Sequence, residues 1–279
     1  MEDSNKNILI TGCSTGIGRC VARGLRKRGW RVFATARKKT DVDRLIDEGF
    51  ESYQLDLASS TSIESAVKWV LELSGGRLDA LFNNGAYGQP GAMEDISRQA
   101  LREQFETNVF GTHELTSMVL PIMRKQGYGR IIQNSSILGF VAMPFRGAYV
   151  ATKFAINGMT EAMRVEMHGS GIQFILIEPG PIKTEFRNNA REAFFRFIKV
   201  DQSAYKEKYQ GWIKQATKEE TTKVPFTLPP EAVLEKVIKA LESKTPKTRY
   251  GVTTPTHIFW ILRCIIPRRW LDKILLKAS

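Results

Sequence analysis

Cysteine, histidine and long apolar runs are all scarce in this 279-residue chain, and each scarcity removes a class of function. The three cysteines, Cys13, Cys20 and Cys264, are odd in number and share no metal-ligand spacing, so neither a disulfide framework nor a metal is expected. A reducing, cytoplasmic setting fits them. No uninterrupted apolar run approaches the roughly 18 residues that cross a bilayer. The opening Met1-Glu-Asp-Ser-Asn-Lys6 is polar, with only Ile8-Leu-Ile10 behind it, so no targeting signal is read there. Acids are few as well, 29 against 41 lysines and arginines, for a formal net charge of +12. That surplus is local: from Lys244 onward eight bases stand against one acid, Asp272. A basic tail implies a local partner, and no nucleic acid is expected. The 42% of hydrophobic residues suffices for a full core. Without internal repeats or a long linker, one domain is expected.

What is present begins with a β-α-β unit. Asn7-Ile-Leu-Ile-Thr11 reads as a buried strand, Gly12-Cys-Ser-Thr-Gly16-Ile-Gly18 as a loop, 21–28 as a helix ended by Gly29, and Arg31 to Ala36 as the next strand. A glycine loop between strand and helix turns backbone N–H groups toward a pyrophosphate at the positive end of the helix. The glycines could be turn formers alone, but strand and helix both fall where a dinucleotide loop needs them. After the second strand an NAD enzyme usually places an acid against the ribose 2′-OH, whereas an arginine suits a 2′-phosphate. Here the residues are Ala36-Arg37-Lys38-Lys39, with no acid and a forked donor at Arg37. NADP(H) is the expected cofactor; a solvated basic loop is the plainer alternative.

The stretch from Ser136 to Lys153 carries the chemistry. Arg130-Ile-Ile-Gln-Asn-Ser135 before it reads as a buried strand, and Phe154, Ile156, Met159, Met163 and Met167 after it recur at helical spacing. Tyr149 and Lys153 therefore stand one turn apart on one face near a helix start. Ser136 falls in the loop that leaves the strand. An ammonium one turn away favours the phenolate and moves a tyrosine, ordinarily near pKa 10, toward the working range. A serine hydroxyl can hold a carbonyl or alkoxide against it. Taken alone, the pair is as readily a packed tyrosine beside a surface lysine.

Further strands are expected at 52–55, 78–82 and 172–178. Helices are expected at 40–48, from a capping box at Thr61-Ser-Ile-Glu64 to Leu73, and over 97–125, with Asn108 inside and Pro121 kinking or shortening the end. The alternation indicates the α/β class and a doubly wound parallel sheet. Residues 183–224 become irregular, aromatic and charged. They read either as a helical lid over a substrate pocket or as an amphipathic pair packed on the core. A helix opening at Pro229 or Pro230 runs to Leu241, and 249–252 is a final edge strand.

Over about 7–252 these features resemble the short-chain dehydrogenase/reductase family. The resemblance rests on the loop 11–18, Asp56 after the third strand, Asn83-Asn84, Asn108, Ser136, Tyr149, Lys153 and the Pro179-Gly180 turn. It implies a single Rossmann-like doubly wound parallel sheet of order 3-2-1-4-5-6-7. It implies that Tyr149 exchanges the proton and that Lys153 lowers its pKa and bonds the nicotinamide ribose. Ser136 would position the carbonyl, and Asn108 would hold a water in a proton relay. Gly12, Ser14, Thr15, Gly16, Ile17 and Gly18 would cradle the cofactor. Asp56, with Leu57, would meet the adenine, Asn83 its ribose, and Pro179, Ile182 and Thr184 the nicotinamide end. Two departures stand out. Asn83-Asn84-Gly85-Ala86 replaces the usual Asn-Asn-Ala-Gly, and Thr15 stands where many NADP members carry a base. Arg37, helped by Lys38, would then hold the 2′-phosphate.

Within the family, Ala34-Thr-Ala-Arg37, Asn108-Val-Phe-Gly111 and 249–255 are most similar to the branch of 17β-hydroxysteroid dehydrogenases, retinol dehydrogenases and bacterial NADP-dependent aldehyde reductases. That branch implies a small apolar carbonyl or alcohol substrate, with Ser136, Tyr149, Met143 and Phe186 as expected contacts. The expected function is NADP(H)-dependent interconversion of carbonyl and alcohol, in the direction of reducing apolar aldehydes or ketones. The alternatives are an NADP-linked steroid, retinoid or other alcohol dehydrogenase and, outside catalysis, an NADP-binding regulator or scaffold. Residues 1–255 are read as the catalytic domain and 256–279 as an amphipathic basic segment. Its tryptophans, aliphatics and bases suit contact with the inner face of a membrane. A helix docked on the domain, or a subunit contact in a homo-oligomer, is the other reading.

Overall fold

The structure is a computed structural model that describes residues 6–218 and 225–277; the last six residues of the expected lid and the last two of the tail lie outside the described residues. Seven strands form one sheet: β1 (Asn7–Ile10), β2 (Arg31–Ala36), β3 (Glu51–Gln54), β4 (Ala80–Asn83), β5 (Gly129–Asn134), β6 (Ile172–Glu178) and β7 (Arg249–Gly251). Every pairing is parallel, and the order is β3-β2-β1-β4-β5-β6-β7, as the resemblance implies. The order reverses between β1 and β4, so the carboxyl ends of these strands open the crevice where doubly wound sheets bind ligands.

The central strands are apolar almost without interruption because both faces are covered. Alternation along β1 sends Ile8 and Ile10 one way and Leu9 the other. Ile8 and Ile10 join α1 (Gly16–Arg26), α2 (Lys39–Asp47) and α9 (Glu231–Glu242) through Val21, Leu25, Leu45 and Val237. Leu9 joins α3 (Ser60–Ser74) and α5 (Gly111–Gln126) through Ile63, Val67, Leu115 and Val119.

Local expectations are corrected in three places. Helix α3 is capped by Ser59 rather than Thr61: Ser59 is extended and its Oγ accepts from the Ser62 N–H at 3.4 Å. The helix expected over 97–125 is three pieces, α4 (Arg98–Phe105), a π turn (Glu106–Phe110) that holds Asn108, and α5. Pro121 does not shorten α5, which runs to Gln126 and ends on left-handed Gly127. A proline inside a helix loses its own hydrogen bond, but the buried stripe Leu115, Val119, Leu120 and Met123 keeps this helix on the sheet.

The irregular stretch contains two helices, α7 (Phe186–Phe197) and α8 (Lys206–Lys218). Phe194, Tyr209 and Trp212 gather around Phe145, in the loop before α6 (Gly147–Glu166). The tail forms α10 (Thr254–Ile265) and α11 (Arg268–Lys277), separated at Pro267. Its Phe259, Leu271 and Leu275 bury against Leu138, Phe140 and Val150. At about 1.5–3 kcal/mol for each buried side chain, these contacts dock the tail on the domain. Among the described residues no helix is long and apolar enough to cross a membrane.

Candidate active site

At the crevice, the loop after β1 and the loop after β4 are stitched together. The Thr11 Oγ1 accepts from the backbone N–H groups of Asn84 and Gly85 at 2.9 and 2.8 Å. The Asn84 Nδ2 donates back to the carbonyls of Thr11 and Gly12 at 2.9 and 3.1 Å. The wrap leaves no room for side chains. A Cβ on Gly18 would lie 2.2 Å from the Gly12 carbonyl oxygen, and one on Gly16, at φ +55°, 2.9 Å from Thr184 Cγ2. Gly12, Gly16, Gly18 and Thr184 are thus brought together around the start of α1. Thr15 caps α1 with no side-chain bond, and the first turn, where Ile17 sits, carries no acid. The cradle therefore fits an anionic pyrophosphate. At the end of β2, Arg37 is exposed and has no ion-pair partner among the described residues; only its carbonyl is engaged, accepting from Gln54 Nε2 at 2.9 Å. After β3, the Asp56 Oδ1 accepts from the Ala58 N–H at 3.0 Å and Leu57 is buried.

Asn134, at the end of β5, continues the stitching. Its Nδ2 donates to Asn84 Oδ1 at 2.9 Å, and its carbonyl accepts from Lys153 Nζ at 2.6 Å. Hydrogen bonds thus run without a break from the glycine loop to Lys153. Asn83 points elsewhere: its Nδ2 donates to Thr116 Oγ1 on α5 at 2.9 Å. Successive strand residues face opposite sides, so the side chain at the glycine loop is that of Asn84, not Asn83.

In the π turn, the buried Asn108 accepts from the Tyr87 N–H at 3.1 Å and donates to the Tyr87 carbonyl at 2.9 Å and to Thr152 Oγ1 at 3.2 Å. Thr152 donates in turn to the Tyr149 carbonyl at 2.8 Å. The Asn108 amide thus ties the Tyr87 backbone to Thr152 and through it to the first turn of α6.

Ser136 caps a short 3-10 turn, Ile137–Gly139, its Oγ accepting from the Leu138 N–H at 3.1 Å. The carbonyl of Pro179 accepts from the Ile137 N–H at 2.8 Å and pins that turn to the end of β6. Tyr149 lies in the first turn of α6. Burial pushes its phenol well above the ordinary range, while a hydrogen bond with Ser136 and the positive charge of Arg146 pull it partly back. Lys153 is buried, its ammonium pushed down to about 8 by desolvation, with Nζ 5.5 Å from the centre of the Tyr149 ring. Burial here outweighs the two groups that favour the phenolate, Ser136 and Arg146. Phe186, first residue of α7, stands edge-on to Tyr149 at 5.3 Å, and Met143 joins the same apolar cluster as Tyr149. Ile182 pairs with Leu228 and packs on the core cluster shared by α1 and α9.

The sequence singles out Asn84 without giving it a role, and residue spacing alone missed Asn134, Thr152 and Glu178. That fully buried carboxylate accepts from Asn157 Nδ2 at 2.9 Å, Arg249 Nη1 at 2.7 Å and Trp260 Nε1 at 3.1 Å, and burial raises its pKa. Asn157 also accepts from Ser135 Oγ at 2.6 Å and donates to the Gly139 carbonyl at 3.1 Å, flanking Ser136. The one available signal was a lone acid ending an apolar strand immediately before Pro179.

Comparison with known proteins agrees with this geometry. The family model described as short chain dehydrogenase matches residues 6–194. An uncharacterized oxidoreductase of Escherichia coli K12, YbbO, is 40% identical over 270 residues, covering 97% of this chain and 94% of that protein. An NADPH-dependent 3-dehydrocapnine reductase of Ornithobacterium rhinotracheale is 31% identical over 277 residues, covering 96% and 95%. A solved short-chain dehydrogenase structure from Streptomyces avermitilis matches with a TM-score of 0.80 at 28% identity, covering 98% of this chain and 97% of that one.

Proposed function

The chain belongs to the short-chain dehydrogenase/reductase family of oxidoreductases, and from that premise we propose that it reduces apolar aldehydes or ketones with NADPH, Tyr149 giving the proton. The observation that carries the reading is the convergence of Ser136, Tyr149 and Lys153 beneath Phe186. A bound nicotinamide supplies the hydride; the residues bind, orient and protonate. The Ser136 Oγ accepts from Leu138 and meets the Tyr149 phenol, so a carbonyl oxygen seated at the pair would be within reach of both hydroxyls. Near neutral pH a phenol carries its proton, and burial raises the pKa of Tyr149 further. A neutral phenol is the form that a reduction consumes, whereas oxidation of an alcohol would need the phenolate. Lys153 spends one donor on Asn134 and retains two for ribose hydroxyls. Arg37, unpaired and forked, suits a 2′-phosphate, in keeping with the NADPH dependence named for the Ornithobacterium relative. Met143 and Phe186 give the substrate side its apolar character, and α7, braced by α8 through Phe194 and Tyr209, is read as its lid.

The test is to follow NADPH absorbance across a panel of short- and long-chain aldehydes and ketones, with NADH in parallel. Turnover with NADPH is expected, falling by about 10²–10⁴ in Tyr149→Phe while cofactor binding persists. Full activity in that variant would remove Tyr149 as the acid. Binding of NADPH without turnover on any carbonyl would favour a regulatory role.

A further inference from the structure

Docked by one face, the tail is bare on the other. Six exposed large apolar side chains lie on its two helices: Ile258, Ile261 and Ile265 on α10, Trp270, Ile274 and Leu276 on α11. The first three recur at helical intervals and form a stripe. On α11, Arg269, Lys273 and Lys277 recur every fourth residue on the side away from buried Leu271 and Leu275, beside Trp270 and Ile274. Below α10 an open groove of about 530 Å³ is lined by Lys247, Thr248, Arg249, Trp260, Arg263 and Cys264. Arg249 is paired with Glu161 and Glu178, but Lys247 and Arg263 have no ion-pair partner among the described residues.

We propose that the outer face of α10 and α11 seats this protein on an anionic phospholipid surface, with Trp270 and the isoleucine stripe in the interface and the groove at Lys247 and Arg263 receiving a lipid phosphate. Charge complementarity selects the occupant. Five bases and one acid lie between residues 256 and 277, so two copies meeting through this face would repel, while an anionic leaflet attracts each base. Apolar residues interleaved with bases and a tryptophan are the composition of an interfacial helix. The proposal does not depend on the reductase reading. Where both hold, the inner face of the same helices joins the cluster containing Tyr149 and Met143, and an apolar carbonyl dissolved in the bilayer lies beside the site that reduces it.

Flotation of the full chain, without cofactor or substrate, tests this with vesicles of phosphatidylcholine alone or with about one-third phosphatidylglycerol. Binding to the anionic vesicles only, reversed by high salt, is expected. Each base removed should lower partitioning about fivefold, so Arg269→Ala with Lys273→Ala should lower it about twenty-five-fold. Trp270→Ala should weaken binding at every salt concentration at which the wild type binds. All three side chains are exposed, and unchanged thermal melting shows that the variants fold. A chain that stays with neither vesicle overturns the proposal, as does binding that these substitutions leave intact. A concentration-dependent dimer in light scattering that the same substitutions dissolve would give the face to a second copy instead.

Discussion

Replacing Lys153 by methionine keeps the length of the side chain and removes a buried charge. Desolvation lowers the ammonium from 10.5 to about 8, so between those values the unfolded chain binds more protons than the folded one and stability rises with pH. For a depressed pKa of this kind, the stabilising contribution is complete above 10.5 and is lost as pH falls through 8. At 1.36 kcal/mol per pH unit the penalty is about 3 kcal/mol near neutrality and shrinks by about 2 kcal/mol between about pH 7.5 and 9.5. The 2.6 Å bond to the Asn134 carbonyl returns part of it, about 1.5–3 kcal/mol for a charged donor, which methionine forfeits. At neutral pH the two proteins should therefore differ little, and the slope is the informative quantity. Urea unfolding of both proteins across this window should show the wild type gaining about 2 kcal/mol on the variant. Tyr149 does not confuse the window. Its raised pKa gives a contribution that is complete below pH 10 and lost only as pH rises toward the folded value. A difference independent of pH would refute a desolvated Lys153 and with it the enclosed site.

Arg37→Ala should weaken NADPH by about 10- to 100-fold through lost charge-assisted bonds and leave NADH unaffected; equal losses in titrations with both cofactors would clear Arg37 of any 2′-phosphate role. Gly111→Ala puts a Cβ 1.7 Å from the Leu57 carbonyl oxygen, and the backbone shift it forces should cost about 3 kcal/mol or more, read as lost soluble yield or a lowered melting temperature. Asn84→Ala cuts the bonds to Thr11, Gly12 and Asn134 and should cost about 1–3 kcal/mol; melting with and without NADPH should show a smaller cofactor-induced rise than in wild type.

Much of the fold is legible in the sequence because its signals are local. Short apolar runs alternate with amphipathic stretches, and the i, i+4 spacing of Tyr149 and Lys153 is helix geometry wherever the helix lies. Long-range choices of partner are not local. Asn83 and Asn84 are the same residue type, and only the alternation of β4 sends one to Thr116 and the other to the glycine loop. Spacing puts Lys153 near Tyr149, but burial decides both pKa values, and burial belongs to the assembled fold. The π turn at Asn108 hides for a related reason: one extra residue in a helical run barely disturbs its apolar period.

Two hydrogen-bond systems meet at the reacting groups. From one side, Gly12, Asn84, Asn134 and Lys153 link the glycine loop to the ammonium, so one run of bonds holds that loop and the residue beside Tyr149. From the other side, Glu178 accepts from Trp260 on the tail and from Asn157, and Asn157 holds Ser135 and Gly139 around Ser136. Removing the tail would leave the buried Glu178 short of one donor, at about 1–3 kcal/mol. It would also bare Leu138, Phe140 and Val150 on the turn that aims the Ser136 hydroxyl. The inner face of α10 and α11 is therefore part of the wall of the site, whatever surface the outer face meets. Substitutions at Arg269, Lys273 and Trp270 probe that surface, while Trp260 and Phe259 bear on Glu178 and on the turn that carries Ser136.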